Sequence, residues 1–168
     1  MFSLTKKRNN LLMWSHYADS HQGFVIGFDD ENKFFHQETP RTVSPLLEVS
    51  YSAKRPVVPR FEEIPANMHE IVFLTKSEQW SYEEELRMFA QPKVASITKK
   101  DNRGFELYLF DLPPDIFAEI IFGIAMSAEK KREIAAIVKA KYPDVELYEA
   151  KLSQTDFDLD LVDYKVSS

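Results

Sequence analysis

No apolar stretch in this chain runs beyond seven residues. The longest, Ile120 to Met126, falls far short of the ~20 residues that span a bilayer. Short apolar segments bounded by turn residues read as strands rather than long helices. Such segments occur at Phe24–Phe28, Leu47–Tyr51, Leu86–Ala90, Phe105–Phe110, Ile120–Gly123, Val145–Leu152 and Asp156–Tyr164, with Phe2–Thr5 extended at best. In Phe24–Phe28, alternation puts Phe24, Ile26 and Phe28 on one buried face. In Asp156–Tyr164, Phe157, Leu159 and Leu161 alternate with Asp156, Asp158 and Asp160, the wet face of an edge strand rather than a calcium loop.

Three segments have helical spacing. Asn10 caps the first, through Ala18, whose buried stripe is Trp14, Tyr17, Ala18 and His21. Pro65 opens the second, lined by Met68, Ile71, Val72 and Thr75 and running to about Gln79. Ser127 caps the third, which carries Ile134, Ile137, Val138 and Tyr142 inward and stops at Pro143. Ser81 and Glu84 have the spacing of a capping box, and Lys99-Lys100 with Arg103 reads as a solvated loop. Only some connections are long enough for parallel crossovers. The expectation is a single α+β domain over residues 1–168, with a mixed, mostly antiparallel sheet and about three helices.

Composition narrows the chemistry. The 168 residues suffice for a sizeable core without staples, and the absence of cysteine excludes disulfides, thiolate metal sites and a cysteine nucleophile. A net charge of −6 argues against general nucleic-acid binding and against docking on an anionic membrane. No targeting segment is evident, so a cytoplasmic location is the default. There is no Gly-rich phosphate loop and no G-x-S-x-G elbow.

Two polar-aromatic clusters remain. In Met13 to Phe24, Trp14 and Tyr17 read first as core aromatics, while His16 falls off their stripe and faces a cleft or solvent. His16 and His21 are five apart, the wrong spacing for two metal ligands on one helix face, and no metal site is expected. In Trp80 to Arg87, an extended chain puts Glu83, Glu85 and Arg87 on one face. That triad is either an ion pair with a helix cap or a catalytic carboxylate held by its neighbours.

The order Phe2-Ser3, then the run Asn10 to Phe24 containing M-W-S-H-Y-A-D-x-H-x-G-F, then Leu47 to Tyr51, then W-S-Y-E-x-E-x-R at Trp80 to Arg87, then Ile120 to Gly123, resembles the bacterial domain of unknown function family 2971. The resemblance implies a bacterial protein, some of whose relatives are loosely linked to phage resistance. Typical relatives carry a further segment upstream of the Phe-Ser strand, so the chain is expected to be an N-terminally truncated version of the family domain. Its strand at Phe2 is then an edge open to pairing with another copy, a homo-oligomer contact.

Glu83-x-Glu85 leading into a strand, with Ser3 on an upstream strand, is also similar to the Glu-x-Glu arrangement of mono-ADP-ribosyltransferases. Cleaving the nicotinamide–ribose bond of NAD develops oxocarbenium charge that a carboxylate stabilises. On this analogy Glu85 holds the ribose, Glu83 orients the acceptor, Trp14 or Tyr17 stacks on nicotinamide, and Ser3, His16, His21 and Arg87 complete substrate binding. The alternative is a non-catalytic ligand- or protein-binding module whose His, Tyr, Glu and Arg residues form a structural polar network.

Overall fold

The computed structural model describes residues 1–36, 43–57 and 68–165. In chain order its first elements are β1 (Phe2–Thr5), α1 (Leu11–Tyr17), β2 (Phe24–Phe28), α2 (Lys33–His36), β3 (Leu47–Glu48), β4 (Ser50–Ser52), α3 (Met68–Phe73) and β5 (Thr75–Ser77). A 3-10 helix, Glu78–Glu83, leads to β6 (Glu85–Met88), β7 (Ile97–Lys100), β8 (Glu106–Leu109) and β9 (Phe117–Phe122). Then follow α4 (Ala128–Lys141), β10 (Glu146–Leu152) and β11 (Leu159–Asp163). The class is α+β, as expected, but the described strands form four sheets rather than one, and only the β9–β10 and β4–β5 pairs are parallel.

The chain divides into two compact units. One comprises Met1–Lys6 and Lys33–Asp111, the other Lys7–Asn32 and Leu112–Ser168.

In the second unit the strand order is β11-β10-β9-β2. Alternation along β9 sends Ile121 to one face, where it packs with Trp14 and Ala18 of the α1 segment, Ala150 and Leu159. Ile120 and Phe122 go to the other, against Met126 and the Ala135 and Val138 side of α4. Asn10 caps α1 by accepting from the amides of Leu12 and Met13, and Ser127 caps α4 by accepting from Lys130. A Cβ on Gly123 would lie 2.1 Å from the His21 carbonyl oxygen, so this close backbone approach requires glycine.

Several inward faces differ from expectation. Tyr17 is 63% exposed, and His21 is not on the helix: Asp19, Ser20 and His21 all have positive φ (48°, 51° and 66°). α1 ends at Tyr17, so the helical stripe cannot reach His21. Phe24 and Ile26 are exposed although they oppose Phe122 and Ile120, because β2 is the sheet's edge, while Val25 reaches the core. Ile137 is exposed, and the inward side of α4 is Ile134, Ala135 and Val138 instead. Phe157 precedes β11 and is exposed, and Asp158 is partly buried, accepting from the Asn9 side-chain amide at 2.6 Å.

In the first unit, β6 lies between β1 and β3, β4 pairs with β5, and β7 with β8. Residues 75–77 are therefore a strand, where the sequence spacing continues the second helix to Gln79; the Pro65 start lies outside the described residues. Lys99 and Lys100 are on β7 rather than in a loop, and Asp101–Gly104 makes the turn.

Candidate functional site

The first unit gathers Ser3, Glu83, Glu85 and Arg87 around a residue the sequence did not single out, Lys76. β1 and β6 run antiparallel with Ser3 opposite Arg87, so both side chains stand beside Glu85. Glu83 ends the 3-10 helix, and Glu84 takes a left-handed conformation (φ 42°) in which its amide donates to the Ser81 carbonyl, 3.2 Å away. The capping box from the Ser81 side chain does not form, and the chain is not extended through Glu84. Glu83 and Glu85 converge all the same, through a kink instead of a pleat.

Both carboxylates are buried, Glu83 to 3% and Glu85 to 8% exposure. Burial of unpaired charge is expensive, so each needs a counter-ion. Arg87 supplies a fork, with Nε to Glu85 Oε1 at 2.8 Å and Nη2 to Oε2 at 2.9 Å. Its Nη1 donates to the Phe73 carbonyl. Lys76 donates to Glu83 Oε2 and, at 3.0 Å, to Glu85 Oε2, with its ammonium 5.2 Å from the Trp80 ring centroid. The Ser3 side chain hydrogen-bonds Glu85, the Tyr51 hydroxyl accepts from the Glu85 amide at 2.8 Å, and the Thr5 hydroxyl donates to the Glu83 carbonyl.

Burial pushes the Glu85 carboxyl up, but the bonds from Arg87, Lys76 and Ser3 outweigh it and hold the group at about 2. Burial also works to lower Lys76, and the bonds to Glu83 and Glu85 reverse that and raise it. The hydrogen bond to Glu85 raises Arg87. At neutral pH the cluster therefore holds an ionised Glu85 between two cations.

The second unit holds the other candidates. Trp14 is a core residue, its indole N–H donating to the Arg8 carbonyl at 2.9 Å and its ring stacked on His21 at 6.4 Å between centroids. A ring so placed offers no face to a ligand; of the two aromatics expected to stack on nicotinamide, the exposed one is Tyr17. His16 is exposed on α1, edge-on to Tyr17 at 6.3 Å. His21 Nδ1 is buried with no hydrogen-bond partner. Among the described residues no group of three or more His, Asp or Glu side chains could hold a metal ion, and no helix is long and apolar enough to cross a membrane. A cavity of about 220 Å³ in this unit is lined by Met126, Lys131, Arg132, Glu149 and Tyr164, among others.

Lys76 escaped sequence reasoning because helical spacing at Met68, Ile71, Val72 and Thr75 hid a strand that begins at Thr75. Tyr51 and Thr5 lay on segments read as strands, but nothing in their spacing pointed at Glu85 or Glu83.

Residues 13–88 match the model of a family described as protein of unknown function (DUF2971). The matched span holds the M-W-S-H-Y and W-S-Y-E-x-E-x-R runs; Phe2-Ser3 and Ile120 to Gly123, which also suggested the family, lie outside it. No curated protein and no solved structure matches the chain.

Proposed function

We propose that this chain, whose residues 13–88 match the DUF2971 family model, cleaves the nicotinamide–ribose bond of NAD in the manner of an ADP-ribosyltransferase. Glu85 is the carboxylate that meets the ribose. The observation that carries this reading is the placement of Glu85, a buried carboxylate that opens β6 and is gripped by the Arg87 fork, with Ser3 opposite Arg87 on the paired strand β1.

The chemistry asks little of the protein beyond electrostatics. The C–N bond to nicotinamide breaks, and nicotinamide leaves with the bonding electron pair. The ribosyl carbon becomes oxocarbenium-like, and an acceptor nucleophile adds there and gives up its proton. A fixed, ionised carboxylate lowers the energy of that cation. Glu85 is held in that state by Arg87 and Lys76, and Glu83 is the carboxylate that orients the acceptor.

Access requires one rearrangement. A carboxylate offers about four acceptor positions, and two bonds from Arg87 with one each from Lys76 and Ser3 use them. A ribose hydroxyl must replace one donor. Lys76 is the donor suited to leave, because its stem is flexible, its side chain is 22% exposed, and Glu83 remains as its second partner.

A second reading is favoured by the same count. Two buried carboxylates facing two cations form a closed network that fixes β1, β5 and β6, and the protein is then a non-catalytic binding module. Incubating the full chain with NAD and protein and nucleic-acid acceptors separates the two. Nicotinamide release above the spontaneous rate supports the transferase; none with any acceptor supports the module.

A further inference from the structure

We propose that the β7–β8 hairpin is a self-association surface, through which two copies of this chain pair their β8 edges into one four-stranded antiparallel sheet. Among the described residues the two strands pair only with each other, and every residue in both is exposed. Ile97 lies opposite Leu109 and Lys99 opposite Leu107, while Thr98 lies opposite Tyr108 and Lys100 opposite Glu106. Cross-strand partners share a face, so Ile97, Leu107 and Leu109 make one mainly apolar side, which also carries Lys99, and Thr98, Lys100, Glu106 and Tyr108 make a polar one. A lone two-stranded ribbon is marginal in water and needs further strands or a packed face.

Charge selects both the edge and the occupant. β7 carries adjacent lysines, the kind of side chain that blunts an edge, and pairing it with its own copy would gather four ammonium groups at one junction. β8 carries one charge, Glu106. The Asp101 amide donates to the Phe105 carbonyl at 2.9 Å, so 101/105 is a hydrogen-bonded pair. By alternation so are 99/107 and 97/109, which leaves the N–H and C=O of Glu106 and Tyr108 pointing away from β7.

A two-fold axis through Leu107 matches these outward groups. It sets Glu106 against the partner's Tyr108 as a hydrogen-bonded pair, a carboxylate beside a phenol. Leu107 meets the partner's Leu107, and both apolar sides fall on the same face. No like charges oppose one another. An isologous contact requires this self-complementarity, which a strand from an unrelated protein has no reason to supply.

The test is sedimentation velocity on the full chain at concentrations up to about 0.1 mM. The expected result is a concentration-dependent dimer that Leu107→Lys converts to monomer at unchanged melting temperature. Because the chain has no cysteine, Leu107→Cys should cross-link under oxidation, and Glu106→Cys, opposite residue 108 in this register, should cross-link much less. A monomer throughout the range, including one that instead captures a different protein, overturns the proposal. So does a dimer that survives Leu107→Lys, or equal cross-linking at both positions.

Discussion

Ser3 and Arg87 face each other across β1 and β6 on the side of Glu85, whose carboxylate Arg87 holds through two hydrogen bonds and whose ionised form Ser3 also favours. A residue from the chain's first few positions is thereby tied to a strand more than eighty residues later. Removing the Ser3 hydroxyl takes away one bond to a charged group without unpairing the charge. Ser3→Ala is expected to lower stability by about 1–2 kcal/mol, measured by urea unfolding. In the transferase reading it also reduces nicotinamide release by about 10-fold at unchanged fold, through loss of Glu85 positioning.

Arg87 is a different case. Arg87→Ala leaves Glu85 buried with only Lys76 and Ser3, and a broken buried pair costs about 3–5 kcal/mol. The double variant Arg87→Ala with Glu85→Ala removes the orphaned charge as well. Its loss is expected to be smaller than the sum of the two single losses, and a thermodynamic cycle from denaturant midpoints reads the difference.

Acid exposes the same linkage. The Glu85 carboxyl is held at about 2 in the folded chain against an ordinary value of 4.5. Stability from its ionised form is complete above the unfolded value and is lost as pH falls from about 4.5 to about 2, by up to about 3 kcal/mol. Lys76→Met removes one of the bonds that lower the group. It should reduce stability at neutral pH and flatten this part of the curve, as followed by chemical denaturation at stepped pH.

Much of the second unit was legible because its elements follow local rules. Asn10 and Ser127 cap where a short polar side chain precedes a helical period, and β9 is central because it is apolar on both faces. What failed there was the direction of edge residues: Phe24 and Ile26 alternate correctly, but nothing local says that β2 has only one neighbour. In the first unit Glu83, Glu85 and Arg87 converge as expected, for a reason that spacing does not hold. A left-handed Glu84 and a lysine from β5 bring them together, and both depend on tertiary contacts. Helical period at Met68 to Thr75 lost to the pairing of β5 with β4, a non-local contact.

The close approach of Gly123 to His21 gives a prediction independent of any activity. A Cβ there meets backbone oxygens of His21 at 2.1 Å and Gly23 at 2.7 Å, neither of which can rotate away. Gly123→Ala is expected to cost about 2–3 kcal/mol, seen as a melting temperature lower by roughly 5–10 °C. Gly104→Ala is the comparison: no atom lies within 4 Å of its added Cβ, and only its positive φ of 87° opposes the change, at about 1 kcal/mol.

The central claim is that the Glu85 carboxylate acts on NAD. Its most direct measurement is the rate of nicotinamide release by the full chain, wild type beside Glu85→Gln, with circular dichroism showing both folded at the assay temperature. Release by the wild type is expected, with a fall of at least about 100-fold in the variant, the scale of losing one electrostatic stabiliser of the transition state. Equal rates from two folded proteins, or no release from the wild type with any acceptor, would contradict it.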